Sequence, residues 1–120
     1  MKIREEARFK KEREELNEKV MKYAGKEIKR FFSLDSMVYK PGALDKKTKE
    51  LLGLVSSTVL RCDDCVKYHT ISAFNEGVTS DEFQETMSVA MMVGGSITIP
   101  HVRRAMTLWD ELVEDSKDGR

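Results

Sequence analysis

No stretch of about 18 apolar residues occurs anywhere in the sequence, so a membrane-spanning helix is not expected. Cysteine is nearly missing. Two thiols in 120 residues cannot staple a small secreted fold, which excludes a disulfide scaffold as the basis of stability. Net charge is missing too: 21 basic side chains balance 21 acidic ones, so no overall field draws nucleic acid or an acidic lipid surface. The mixed-charge start, MKIREEARFKKEREEL, lacks the uninterrupted apolar core and small-residue cleavage site of a secretory signal. A soluble, cytoplasmic chain is expected, with neither nucleic acid nor membrane as partner. No segment alternates with period two for long enough to argue a strand, and no internal repeat or low-complexity tract interrupts the chain.

What is present is helical periodicity. Ile3, Ala7, Leu16, Val20, Tyr23, Ala24, Ile28 and Phe31 recur mostly at three- and four-residue steps, which predicts one long charged helix over residues 1–32. Its first two turns carry too few apolar residues to hold themselves on a core and are expected to pack on another subunit. The run Lys2 to Lys19 reads as a solvated face with opposite charges three and four apart. Ser33 to Leu44, with Asp35, Pro41 and Gly42, reads as a connector. Asp45 then stands as an N-cap before Lys46 to Arg61, where Leu51, Leu52, Leu54, Val55, Val59 and Leu60 predict a largely buried helix.

Cys62 to Glu76 predicts the next helix, closed by Gly77 in the left-handed cap position with Val78 behind it. Thr79 and Glu82 form a capping-box pattern that opens a helix through Phe83, Met87, Val89, Ala90, Met91 and Met92 to Gly94-Gly95. Ser96 to His101 starts the last helix, with Pro100 in its first turn and Val102, Ala105, Met106, Trp109 and Leu112 as its buried stripe. The fold class is therefore all-α, one unit over residues 1–120 of about five helices. A unit this short buries only about two-thirds of its unfolded surface. Several of its helices are apolar on more than one side, so a homo-oligomer is expected.

The chemistry concentrates in Cys62-Asp63-Asp64-Cys65-Val66-Lys67-Tyr68-His69. At about 100° per residue, positions 62, 65 and 69 fall within roughly 60° of one another on a helix. Two close thiols in a reducing compartment point to redox chemistry or to metal binding. A disulfide forms if the geometry closes, and His69, one turn after Cys65, is placed to remove a thiol proton. A helix start favours a thiolate, whereas Asp63 and Asp64 oppose it and Arg61 offsets part of their charge. Glu50 is the one carboxylate bordering the apolar stretch GLVSSTVL, a candidate to exchange a proton with a histidine.

The pattern Glu50, Leu51-Leu52-Gly53-Leu54, Cys62-x-x-Cys65-x-x-x-His69, Gly77, Thr79-x-x-Glu82 and Gly94-Gly95 resembles the carboxymuconolactone decarboxylase and alkylhydroperoxidase D (AhpD)-like superfamily, over roughly residues 41 to 112. The resemblance implies an AhpD-like helical bundle, and the cysteine pair points to its peroxidase or disulfide-reductase side. It implies that Cys65 attacks a hydroperoxide or disulfide substrate, that Cys62 resolves the product, and that His69 and Glu50 relay the proton. An external dithiol, a dihydrolipoyl group or a thioredoxin-like protein, would reduce the disulfide, with no cofactor. A trimer or hexamer is implied by the short members of the group. Asp64 stands where the best-known peroxidase members carry a second histidine.

Two other readings stand beside this one. Cys62, Cys65 and His69 with a fourth ligand would make a structural zinc module. Glu50 and His69 as proton carriers alone would make a lactone decarboxylase-type enzyme. His101, beside Pro100, reads as a capping or packing residue outside the site. Met87, Met91 and Met92 read as core rather than substrate wall. Tyr68 either faces a pocket or packs.

Overall fold

The computed structural model describes residues 4–117 and 120. Among them are six α-helices and one short 3-10 turn: α1 (Glu5–Tyr23), α2 (Lys26–Val38), α3 (Lys46–Val59), α4 (Asp63–Asn75), α5 (Ser80–Gly94), the 3-10 turn Ser96–Thr98, and α6 (Ile99–Ser116). No strand occurs among the described residues.

The expected single helix over residues 1–32 is two. Ala24 and Gly25 take extended backbone between α1 and α2. A glycine inside a helix costs about 1 kcal/mol relative to alanine, so a lone glycine in an amphipathic run is a weak point at which the chain can turn. The expected connector Ser33 to Leu44 is also shorter, because α2 carries its apolar periodicity through Met37 and Val38. It stops before Pro41, which disfavours helical geometry at Lys40.

The start of α1 makes contacts with its own chain. Phe9 is buried in the core cluster. The Arg4 guanidinium reaches Asp115 at 2.8 Å and Glu114 at 3.2 Å on α6, and Lys67 of α4 pairs with Glu5 at 2.8 Å. Ile3 and Lys2 lie outside the described residues. Along the charged face, Lys10 pairs with Glu6 at 2.8 Å, and Arg8 pairs with Glu5.

The remaining helices form the bundle that positions the site. Asp45 caps α3 by accepting from the Thr48 N–H at 2.8 Å. Thr79 and Glu82 form the full capping box at the start of α5. Helix α4 is framed by two left-handed turns. At its end Gly77 has φ 86°, and the Val78 and Gly77 N–H groups bond the carbonyls of Ala73 and Phe74. Before its start Arg61 has φ 61°, and the Cys62 and Arg61 N–H groups bond the carbonyls of Ser57 and Thr58 in the same pattern. A left-handed conformation costs a residue other than glycine about 1–3 kcal/mol, and here that strain sits immediately before Cys62.

The core centres on Trp109, stacked on Phe83 at 4.3 Å between ring centroids and edge-on to Phe74 at 5.3 Å. Its indole N–H donates to the Ser80 hydroxyl at 2.9 Å, satisfying the one polar atom the ring brings inside. Leu54, Val66, Met87, Leu108 and Leu112 pack around these rings.

The expectation that α3 is largely buried needs correction. Its buried positions are Glu50, Gly53, Leu54, Ser57 and Thr58, a face mostly small or polar, whereas Leu52 and Leu60 are exposed. Small residues let α4 approach closely, and that close approach is where the site lies.

Candidate functional site

Cys62 is the N-cap of α4, its sulfur accepting from the Cys65 N–H at 3.2 Å, and the two cysteines are joined as a disulfide with Cα atoms 5.3 Å apart. Cys65 is solvent-exposed and Cys62 half-buried. A cleft of about 360 Å³ opens beside them between α1 and α4. Its walls are Phe9, Glu12, Arg13, Leu16 and Asn17 of α1, Asp35 of α2, and Asp64, Cys65, Tyr68 and His69 of α4. Cys65 and His69 therefore share the cleft, while Cys62 lies outside its lining.

One turn down α4, His69 is buried, and its Nδ1 lies 3.4 Å from Glu50 Oε2. Glu50 is fully buried at 0% exposure. Its Oε1 makes no hydrogen bond, and Lys46 Nζ stands 3.6 Å away as the countercharge. A buried carboxylate without a countercharge is strongly disfavoured, so Lys46 and His69 together support Glu50 in its place. The four residues picked out from the sequence, Cys62, Cys65, His69 and Glu50, are thus brought together at the α3–α4 contact.

Three residues beside them were not among the sequence candidates. Tyr39, just after α2, places its hydroxyl 3.4 Å from His69 Nε2, with ring centroids 5.2 Å apart. Its phenol is pushed above the ordinary value, first by burial and then by the charges of Glu50 and Asp35. Gly53 makes this approach possible, since a Cβ there would lie 2.7 Å from His69 Cε1 and 2.8 Å from Tyr39 Oη. A glycine within the apolar run of α3 is the sequence signal for such a contact, although it does not say which residue fills the space.

His101 is the third. It packs at the start of α6 as expected, and its Nδ1 lies 2.6 Å from Asp63, the residue after Cys62, with Arg104 3.1 Å from the other carboxylate oxygen. Burial acts to raise the Asp63 pKa, but the bonds to His101 and Arg104 prevail and hold it below the usual carboxylate range. Tyr68, open in the sequence, lines the cleft, with its ring edge-on to His69 and the Arg13 guanidinium 4.4 Å above it. Met87 is core, as read, whereas Met92 is exposed.

Among the described residues, no group of three or more His, Cys, Asp or Glu side chains is arranged to hold a metal ion. No helix of the described residues is long and apolar enough to cross a membrane.

An all-helical bundle presenting a Cys-x-x-Cys disulfide at a helix start, over a buried His–Glu pair, defines the class of thiol-bearing helical proteins that the sequence resembles. The profile of the Carboxymuconolactone decarboxylase family matches residues 28–108, and the chain belongs to that family. Its structure is similar to a crystal structure from Thermotoga maritima with TM-score 0.88 and 54% identity, covering 93% of this chain and 95% of that one. That relative is described as a carboxymuconolactone decarboxylase family protein suggested to take part in an antioxidative response. A Legionella pneumophila member of the family superposes with TM-score 0.80 at 27% identity, over 89% of this chain and 96% of that one. An alkyl hydroperoxide reductase AhpD from Corynebacterium kroppenstedtii is 33% identical over 60 residues, half of this chain and 34% of that protein. The family, the AhpD relative and the Cys62–Cys65 pair together associate the chain with antioxidative thiol proteins.

Proposed function

We propose that this protein is a thiol-dependent oxidoreductase that reduces hydroperoxides or disulfides through Cys65 and Cys62. The observation that carries the reading is the asymmetry of the pair. Cys65 opens on the cleft beside His69, and Cys62, bonded to it, lies outside the cleft lining. With a hydroperoxide, the Cys65 thiolate attacks the terminal oxygen and the O–O bond breaks. An alkoxide leaves, takes up a proton and becomes an alcohol, and Cys65 becomes a sulfenic acid. The Cys62 thiol then displaces that hydroxyl as water and forms the disulfide. With a disulfide substrate, the same thiolate makes a mixed disulfide that Cys62 resolves. His69, backed by Glu50, receives the Cys65 proton and returns it to the leaving oxygen or sulfur.

An external dithiol, dihydrolipoyl or thioredoxin-like, restores both thiols by exchange and is itself oxidised. The cycle needs no cofactor. It needs the reducing pool of the cytoplasm, where we place the protein.

The same chain is proposed to work as a homo-oligomer, a trimer or hexamer. Helix α2 buries no side chain within the chain, and it exposes Ile28, Phe31, Leu34, Met37 and Val38. Leu52 of α3, Leu60 just after it, and Met92 and Val93 of α5 are exposed as well. An apolar surface this extensive is the mark of an association face.

The deciding experiment is a thiol count by mass spectrometry on reduced protein before and after one equivalent of an organic hydroperoxide. A loss of two mass units with both thiols blocked is expected, and Cys62→Ser is expected to leave a sulfenic acid that dimedone traps. Full activity in Cys65→Ser would overturn the proposal. A decarboxylase using only Glu50 and His69 would tolerate replacement of both cysteines, and a zinc module would purify with stoichiometric metal and unreactive thiols.

A further inference from the structure

His69 has a partner at each ring nitrogen, and only one of them was legible in the sequence. Glu50 Oε2 lies 3.4 Å from Nδ1 and Tyr39 Oη lies 3.4 Å from Nε2. Both separations are at the long end of hydrogen bonding, as is common before substrate is bound. A carboxylate can only accept, so it favours the tautomer that carries the proton on Nδ1. That leaves Nε2 as a bare acceptor, and the hydroxyl beside it is a donor.

Two local devices bring that hydroxyl into place, and neither is the packing of α2, which buries no side chain. The first is the slot at Gly53, where any Cβ would stand 2.8 Å from both His69 Nε2 and Tyr39 Oη. The second is Lys49 on α3. Its ammonium donates to the carbonyl of Val38 at 2.8 Å and to that of Lys40 at 2.7 Å, the residues on either side of Tyr39. Charge-assisted bonds of this kind are about twice as strong as neutral ones. The backbone at Tyr39 is therefore clamped to the same helix that carries Glu50.

We propose that Tyr39 is a positioning residue for the redox cycle, its hydroxyl donating to His69 Nε2 so that the imidazole is held in the Nδ1–H form with one fixed orientation over the cleft. The assignment rests on the reading of His69 as the proton carrier for Cys65. Burial and the neighbouring Glu50 and Asp35 charges keep the phenol protonated through the neutral range, so the donor is available throughout. The hydroxyl holds the Nε2 lone pair only until Cys65 loses its proton: a hydroxyl both donates and accepts, so as Nε2 takes that proton the phenol turns to accept from the new N–H, and the ring keeps its orientation.

The test compares the wild-type protein, Tyr39→Phe and Lys49→Met, each reduced with a dithiol. Phenylalanine keeps the ring beside His69 and deletes only the hydroxyl. The first readout is the nitrogen-15 NMR signature of the neutral His69 ring. A predominant Nδ1–H form is expected in the wild type, and a mixture in Tyr39→Phe. The second is the rate of Cys65 oxidation by tert-butyl hydroperoxide. It is expected to fall about tenfold in Tyr39→Phe, less than the roughly 10²–10⁴-fold that a group exchanging the proton itself contributes, with half-saturation unchanged. Lys49→Met is expected to fall between the two on both readouts.

An Nε2–H ring in the wild type, or an unchanged His69 signature in Tyr39→Phe, would overturn the assignment. If Cys65 of the wild type does not react with hydroperoxide, the redox reading falls. The tautomer measurement still decides the Tyr39–His69 bond.

Discussion

Helices α2 and α4 have the same length, 13 residues, and opposite fates within the chain. Helix α4 buries Val66, His69, Thr70, Ile71, Ala73 and Phe74, and contacts both α3 and α6. Helix α2 buries nothing, although its sequence is at least as rich in large apolar residues. Hydrophobic content therefore does not decide burial here. The difference lies in what each helix offers a neighbour. Helix α4 meets a face of α3 made of Gly53, Ser57 and Thr58, which permits close approach, and the polar pair His69–Glu50 fits between them. Helix α2 has large side chains, and none of them is buried among the described residues. The chemistry thus sits on the most firmly held helix, and among the described residues Tyr39, just after α2, reaches His69, while Asp35 of α2 lines the cleft.

The largest effect is expected where the held region is broken. Phe83 is 1% exposed and stacks on Trp109, and Phe83→Ala should destabilise the chain by about 3–5 kcal/mol in chemical denaturation, with the cavity adding to the lost burial. Next is Gly53→Ala. The added methyl would meet His69 and Tyr39 inside ordinary contact distance, so about 1–3 kcal/mol of overpacking is expected. Its loss in hydroperoxide turnover should be larger than that of Phe83→Ala assayed under folding conditions. Equal losses would mean that the α3–α4 contact serves stability alone.

The order of these effects explains how much was legible in the sequence. Local rules with a fixed chemical meaning held: Asp45 caps α3, Thr79 and Glu82 form their box, and Gly77 closes α4 with Val78 behind it. The register of Cys65 and His69 on one helix followed from the helical period, whereas Cys62 is the extended N-cap before that helix. What failed were judgments that depend on what lies across the gap. A periodic run from Ile3 to Phe31 does not show that Ala24 and Gly25 break it, and the apolar residues of α3 suggested burial where its small and polar face is the buried one. Phe9 was passed over, yet it anchors α1. Tyr39 carried no signal at all, since nothing in Val38-Tyr39-Lys40 reveals the clamp that Lys49 forms eleven residues beyond Val38.

A smaller effect is expected at the helix ends that hold the scaffold around α4. Thr79→Ala removes the α5 cap and should cost about 1 kcal/mol. The charged ends respond to acid. Lys67 bonding lowers the pKa of Glu5, the Thr48 cap that of Asp45, Lys47 that of Glu82, and Arg4 that of Asp115. A carboxylate whose folded pKa lies below its unfolded value contributes fully above that unfolded value, here 3.8 for Asp and 4.5 for Glu, and the contribution is lost as pH falls through the folded one. Stability should therefore decline below about pH 4.5. In acid titrations followed by circular dichroism, Glu5→Gln should show a shallower decline than the wild type. An unchanged slope would mean that Glu5 contributes nothing through its pairing.

The smallest change in the stability of the chain itself is expected at Phe31, which is 71% exposed on α2. A surface substitution away from any buried contact usually stays within about 0.5 kcal/mol, so Phe31→Glu should leave the unfolding of a dilute monomer almost unchanged. In an assembly the same substitution places a charge in an apolar contact, which is costly. The two situations separate by protein concentration. If α2 is covered by a second copy, the wild-type melting temperature rises with concentration by mass action, and that of Phe31→Glu does not. Sedimentation should show the variant as a smaller species. If both proteins sediment alike and melt independently of concentration, α2 is a free surface, and the contrast with α4 is one of exposure rather than of partners. In that case only Lys49 and the Gly53 slot hold Tyr39 at His69, and Lys49→Met becomes the more damaging of the two substitutions.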